Sequence, residues 1–126
     1  MRIIAGDFRG KKILQPKDKF TRPLKDLTKE SIFNILNHSN LININLKKSN
    51  ILDLFSGVGS FGLECISRGA LTVTFFENYI NAVKILKLNI SSMNIQKKIK
   101  IFEKNIFDEG SLELLNKKFE IIFIDP

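Results

Sequence analysis

The chain has 126 residues, 44% hydrophobic and 26% charged, enough for one domain with a real core. No apolar run approaches the roughly 20 residues of a membrane-crossing helix, and residues 1–7 lack the apolar segment of a secretory signal. A lone cysteine, Cys65, and a lone histidine, His38, exclude a disulfide framework and a cysteine-rich zinc site, so no metal, no membrane and a reducing cytoplasm are expected.

Much of the +7 net charge lies at the start: residues 1–30 hold nine bases against four acids. Such a segment attracts phosphate through counterion release, although solvated lysines are the plain alternative. The arginines favour phosphate, because a guanidinium grips it through paired hydrogen bonds. Residues 2–5 and 11–14, separated by Gly6 and Gly10, predict a small hairpin. Pro16 and Pro23 bracket a polar connection. A helix follows from about residue 24 or 26 to about 37, with Ile32, Phe33, Ile35 and Leu36 on one apolar arc. Residues 40–50 read as a linker.

The pattern then changes to alternating strands and helices. Strands are predicted at 51–55, 71–76, 98–102 and 119–124, and helices at 61–68, 79–91 and, more briefly, 111–117. Tyr79, Val83, Leu86 and Ile90 fall on one stripe of the second of these helices. The last strand is continuously apolar and is expected to be buried on both faces. This order implies an α/β, Rossmann-like parallel sheet with right-handed crossovers. Three segments are expected: a basic hairpin and helix over 1–40, a linker over 41–50, and a ligand-binding domain over 51–126.

Asp53-Leu-Phe-Ser-Gly57-Val-Gly59-Ser-Phe-Gly62 places Gly-x-Gly-x-x-Gly between a predicted strand and a predicted helix. The glycines alone are consistent with a purely structural turn. Two acids sharpen the reading. Glu77 ends the second predicted strand, where a carboxylate can accept from both hydroxyls of a ribose. Asp53 would repel a pyrophosphate, yet it suits a ligand with a positive amino group and no phosphate. That describes the methionine part of S-adenosylmethionine better than it describes NAD. Asn105 follows the third strand, beside the expected adenine; a loop-capping role is the alternative, and Asp108 is the competitor. Asp125 and Pro126 end the fourth strand, at the edge where open α/β sheets bind ligands. A carboxylate there can accept from an amine being methylated; a plain Asp-Pro turn is the alternative.

Asp125-Pro126 resembles the start of the Asp-Pro-Pro-Phe/Tyr motif of methyltransferases acting on exocyclic amines. Arg2-Ile-Ile-Ala-Gly6, Arg9-Gly10, Arg22-Pro23 and Glu30-Ser-Ile-Phe33-Asn-Ile-Leu36 are similar to the bacterial RsmD family, and the resemblance runs through all 126 residues. Members of that family methylate the N2 amine of a guanine in 16S ribosomal RNA. The resemblance implies that Asp53, Phe55, Ser56, Gly57, Gly59, Glu77, Asn78, Asn105 and Ile106 hold S-adenosylmethionine. It implies that Asp125 and the Pro126 carbonyl hold the guanine amine of a base flipped from its stack. Arg2, Arg9, Lys11, Lys12, Arg22, Lys25 and Lys29 would meet ribosomal RNA, within a small-subunit particle. A monomer is expected.

Leu24 stands where the family shows threonine after Arg-Pro, and the sequence stops inside the Asp-Pro-Pro-Phe/Tyr motif. A fragment or truncated product is therefore expected. The alternatives are an inactive RNA- and cofactor-binding remnant, a DNA amino-methyltransferase, and an NAD-dependent oxidoreductase. His38 and Cys65 read as a surface residue and a packed helix residue, without catalytic roles.

Overall fold

The four apolar runs after residue 50 pair into one parallel sheet, in a computed structural model that describes residues 1–17, 24–39 and 45–126. The elements in chain order are α1 (Asp26–His38), β1 (Asn50–Asp53), α2 (Ser60–Ser67), β2 (Thr72–Phe76), α3 (Ile80–Met93), β3 (Ile99–Phe102) and β4 (Ile121–Phe123). The strand order is β3-β2-β1-β4. Asp53, the last residue of β1, is in register with Phe75 of β2 and Phe123 of β4. The chain runs outward from β1 through β2 to β3, then returns to place β4 on the other side of β1. The strand order therefore reverses at β1/β4, and a crevice opens there above the carboxyl ends of the parallel strands.

Strand side chains alternate between faces, and each face builds its own cluster. Ile51, Val73 and Phe75 join the larger one with Leu63 of α2 and Leu86 and Ile90 of α3. Ile3 and Ile13 of the N-terminal segment and Phe33 of α1 belong to that same cluster. Leu52 and Phe76 face the other way and meet Ile106. The residues before α1 pair as expected: Arg2 bridges Lys12 in antiparallel fashion, and Ile3 N–H donates to the Lys11 carbonyl at 2.9 Å. The expected polar stretch 40–50 holds a short 3-10 turn, Leu46–Lys48, before β1 begins; residues 40–44 lie outside the described residues.

Three expectations change. β4 is not buried on both faces: it lies at the edge of the sheet, with Ile122 54% and Ile124 63% exposed. The β3–β4 connection covers Leu52 and Phe76 but leaves the Ile122 face of β4 bare. Within 111–117 only a three-residue 3-10 turn forms, Leu112–Leu114. On α1, Phe33 is buried but Ile35 is exposed, because Ile35 lies off the stripe that meets α2. That stripe continues as a column of rings. Phe33 stacks on Phe61 of α2 (5.3 Å) and Phe61 on Phe123 of β4 (3.9 Å), with the Arg68 guanidinium 4.2 Å over Phe33.

Candidate functional site

β1 ends at Asp53 because the glycine turn takes over the backbone. Ser56 N–H donates to the Phe76 carbonyl, Gly59 N–H to the Ser56 carbonyl, and Leu63 N–H to the Gly59 carbonyl, which starts α2. Gly59 has φ +94°, a left-handed conformation that costs a side-chain-bearing residue about 1–2 kcal/mol. Gly62 answers to packing: a Cβ there would come within 2.4 Å of the Phe75 ring, so only glycine lets α2 lie this close to β2.

The turn forms one wall of a cleft of about 320 Å³ at the reversal point of the sheet. Its lining includes Asp53, Phe55, Ser56, Gly57, Glu77, Asp125 and Pro126, residues that the sequence spreads over more than seventy positions. Three carboxylates thus face one space in a protein of net charge +7. Asp53 feels this most. It is 1% exposed and its Oδ1 has no hydrogen-bond partner; Ser56 Oγ is in the same condition. Burial pushes the Asp53 carboxyl up to about 7, the charges of Glu77 and Asp125 add to the rise, and backbone amides of Phe55 and Gly62 oppose it. A buried acceptor oxygen without a donor, among like charges, is stabilised by any cationic donor that reaches it.

Glu77 holds the turn as well as lining the cleft. Its Oε1 accepts from Gly57 N–H at 2.8 Å, and its Oε2 from the N–H groups of Asn78 and Tyr79 at the start of α3. A carboxylate has about four lone-pair positions, so Oε1 keeps capacity for a ligand hydroxyl. Asn78 and Ile106 lie beside it in a small depression with Phe55, Lys104 and Asn105. The Asn105 side chain caps its own loop, accepting from Phe107 N–H at 2.9 Å.

The basic segment divides. Arg2, Arg9, Lys11, Lys12 and Lys25 are exposed, and Arg22 lies outside the described residues. Lys29 corrects the expectation: it is fully buried, its Nζ 3.4 Å from Glu64 Oε1 and donating to the Arg2 carbonyl and Ser60 Oγ. No phosphate reaches it there. Its position four residues before Phe33, on the same α1 stripe, was the signal in the sequence. Met1, Leu24, Ser60 and Tyr79 also line the cleft, and sequence reasoning did not name them as site residues. His38 is exposed and Cys65 is buried, as read.

The family model described as Conserved hypothetical protein 95 matches residues 1–126. A Haemophilus influenzae protein named ribosomal RNA small subunit methyltransferase D is 32% identical over all of this chain, which spans 63% of that protein's length. A protein of the same name from Buchnera aphidicola is 33% identical, and the chain spans 60% of it. Among solved structures, a candidate methyltransferase of Escherichia coli superposes with a TM-score of 0.75 at 27% identity, covering all of this chain and 63% of the other.

Proposed function

This chain belongs to the family described as Conserved hypothetical protein 95, the RsmD family, and from that premise we propose that its cleft binds S-adenosylmethionine for methyl transfer to the N2 amine of a guanine in small-subunit ribosomal RNA. The observation that carries the reading is Asp53: a buried, partnerless carboxylate oxygen in an acidic cleft beside a glycine turn. A methionyl ammonium fits that oxygen, whereas a pyrophosphate meets repulsion from Asp53, Glu77 and Asp125. The bare main chain of Gly57 admits the ligand closely, while Gly59 departs from the sequence expectation, since a Cβ there would face Leu86 and Leu63 in the core and not the cleft. The free capacity of Glu77 Oε1 suits a ribose hydroxyl. Asn78, Asn105 and Ile106 would border the adenine, Asn105 by packing, since its backbone and side-chain oxygen are engaged with Asp108, Ser111 and Phe107 of its own loop.

The bound donor would supply an electrophilic methyl group on a positively charged sulfur. Asp125 and the Pro126 carbonyl, which line the same cleft, would accept the two N–H groups of the amine and turn its lone pair toward the methyl. The remaining acceleration comes from positioning and from excluding water. Arg2, Arg9, Lys11, Lys12 and Lys25 would hold RNA phosphates, which positions the strand without reading its sequence. Arg22 joins them by sequence. The small-subunit particle, the cytoplasm and a monomeric state belong to the same proposal, as does the division into a basic N-terminal segment and a cofactor domain from residue 51.

Calorimetric titration with S-adenosylhomocysteine, with NAD and a Glu77→Ala variant as controls, tests this. Saturable binding weakened by the variant, with no heat from NAD, is expected. A folded chain that ignores S-adenosylhomocysteine, or binds NAD instead, would overturn the reading.

A further inference from the structure

The glycine turn is held from behind as well as from the sheet. Asn89, on α3, is 1% exposed, and among the described residues its side chain makes three hydrogen bonds, each to backbone. Oδ1 accepts from Leu14 N–H at 2.9 Å; Nδ2 donates to the Leu14 carbonyl at 3.2 Å and to the Val58 carbonyl at 3.0 Å. Val58 is the middle residue of the turn and lines the cleft. Leu14 lies on the second arm of the N-terminal hairpin, two residues after the Arg2–Lys12 bridge. One amide therefore joins hairpin and turn, and an apolar side chain would fill the same space without joining anything.

Lys29 repeats the arrangement on the other arm of the hairpin. Its Nζ donates to the Arg2 carbonyl and to Ser60 Oγ, both at 3.1 Å. Ser60 is the first residue of α2 and also lines the cleft. Each arm of the hairpin is thus fastened by a buried polar side chain, one to the middle of the turn and the other to the first residue of α2.

We propose that Asn89, with Lys29 as its counterpart, is a positioning residue that fixes the cofactor turn against the N-terminal hairpin. The inference rests on reading the cleft as the S-adenosylmethionine site. Gly57 and Gly59 both have positive φ, so the turn alone has many conformations open to it. Ligand affinity scales with the fraction of molecules in which the turn has its binding shape. If losing the Val58 anchor cuts that fraction to about a tenth, the Kd rises about tenfold.

The test compares Asn89→Leu with Met93→Ala, a substitution in the same core at the far end of α3. S-adenosylhomocysteine titrations are run where circular dichroism shows each variant folded, with the two compared at matched loss of thermal stability. Asn89→Leu is expected to weaken binding about tenfold, and Met93→Ala less than about twofold. Equal weakening by both, or wild-type affinity in Asn89→Leu, overturns the proposal. Lys29→Met, compared in the same way, carries the test if Asn89→Leu does not fold. Native-state hydrogen exchange on the wild type needs no variant: the Leu14 and Gly59 N–H groups are expected to share one opening event. Opening of the turn with Leu14 still protected would also overturn it. A wild type that exchanges as expected yet binds no S-adenosylhomocysteine would instead count against the reading of the cleft.

Discussion

Asp53 sets stability against binding, and the conflict is measurable. A solvated aspartate titrates near 3.8, while burial holds the Asp53 carboxyl up near about 7. Between those values the folded chain keeps a proton that the unfolded chain releases, so stability falls as pH rises through this window. Raising the titration from 3.8 to about 7 corresponds to about 4 kcal/mol, fully lost once the folded carboxyl ionises above about pH 7. Asp53→Asn carries no such proton. The protonated acid and the amide are close in shape and polarity, and the Phe55 and Gly62 amides already enter the value of about 7, so the variant's advantage at alkaline pH is about 4 kcal/mol, or about 15 °C in Tm. The assay is thermal unfolding of both proteins without ligand, between about pH 4 and about pH 8. The two Tm values are expected to converge at the acid end, with the variant ahead at the alkaline end. S-adenosylhomocysteine binding moves the other way: the variant binds about ten- to a hundredfold more weakly, because the ligand ammonium loses its charged partner. A Tm difference that ignores pH, or a wild type ahead of the variant at pH 8, refutes the reasoning.

Two further predictions follow from packing and from charge. Gly62→Ala drives a methyl into the Phe75 ring and is expected to cost about 2 kcal/mol or more, read as a lower midpoint in urea; an unchanged midpoint would show that α2 slides away freely. Lys11→Glu with Lys12→Glu leaves Tm nearly unchanged, since both residues are exposed, but lowers the salt dependence of binding to a structured RNA by about one unit of log–log slope per lysine. An unchanged slope would move the RNA face away from the hairpin.

The elements of the sheet were legible because their signals are local. Apolar runs ending in glycine or a polar residue gave each strand to within about two residues, and Val83, Leu86 and Ile90 gave the face of α3. The turn from Asp53 to Gly62 could be read because its chemistry lies in ten consecutive residues. The buried charges could not be read in this way. Lys29 looks like a surface lysine until Glu64, far along the chain, is known to wait for it; Glu64 in turn sits inside an otherwise apolar helix, Phe61 to Ile66. Asn89 hides for the same reason, although its spacing from Leu86 and Met93 puts it on the buried stripe of α3. β4 misled because a continuous apolar run signals burial only when both faces of its place in the sheet are covered.

The fastening of the N-terminal hairpin also bears on how the chain reaches its structure. Ile4 and Ala5 N–H donate to the Glu64 carboxylate, Phe8 N–H to Ser67 Oγ, and Leu14 is held by Asn89, contacts spanning 59 to 75 residues. A two-stranded hairpin is marginal in water without such support. On a ribosome, residues 1–14 would be synthesised well before α2 and α3, and would wait for both helices to emerge. Contacts this distant in sequence close slowly, because the intervening loop must first give up its freedom. A segment made before both helices would thus settle only after them, and its docking would brace the back of the glycine turn late.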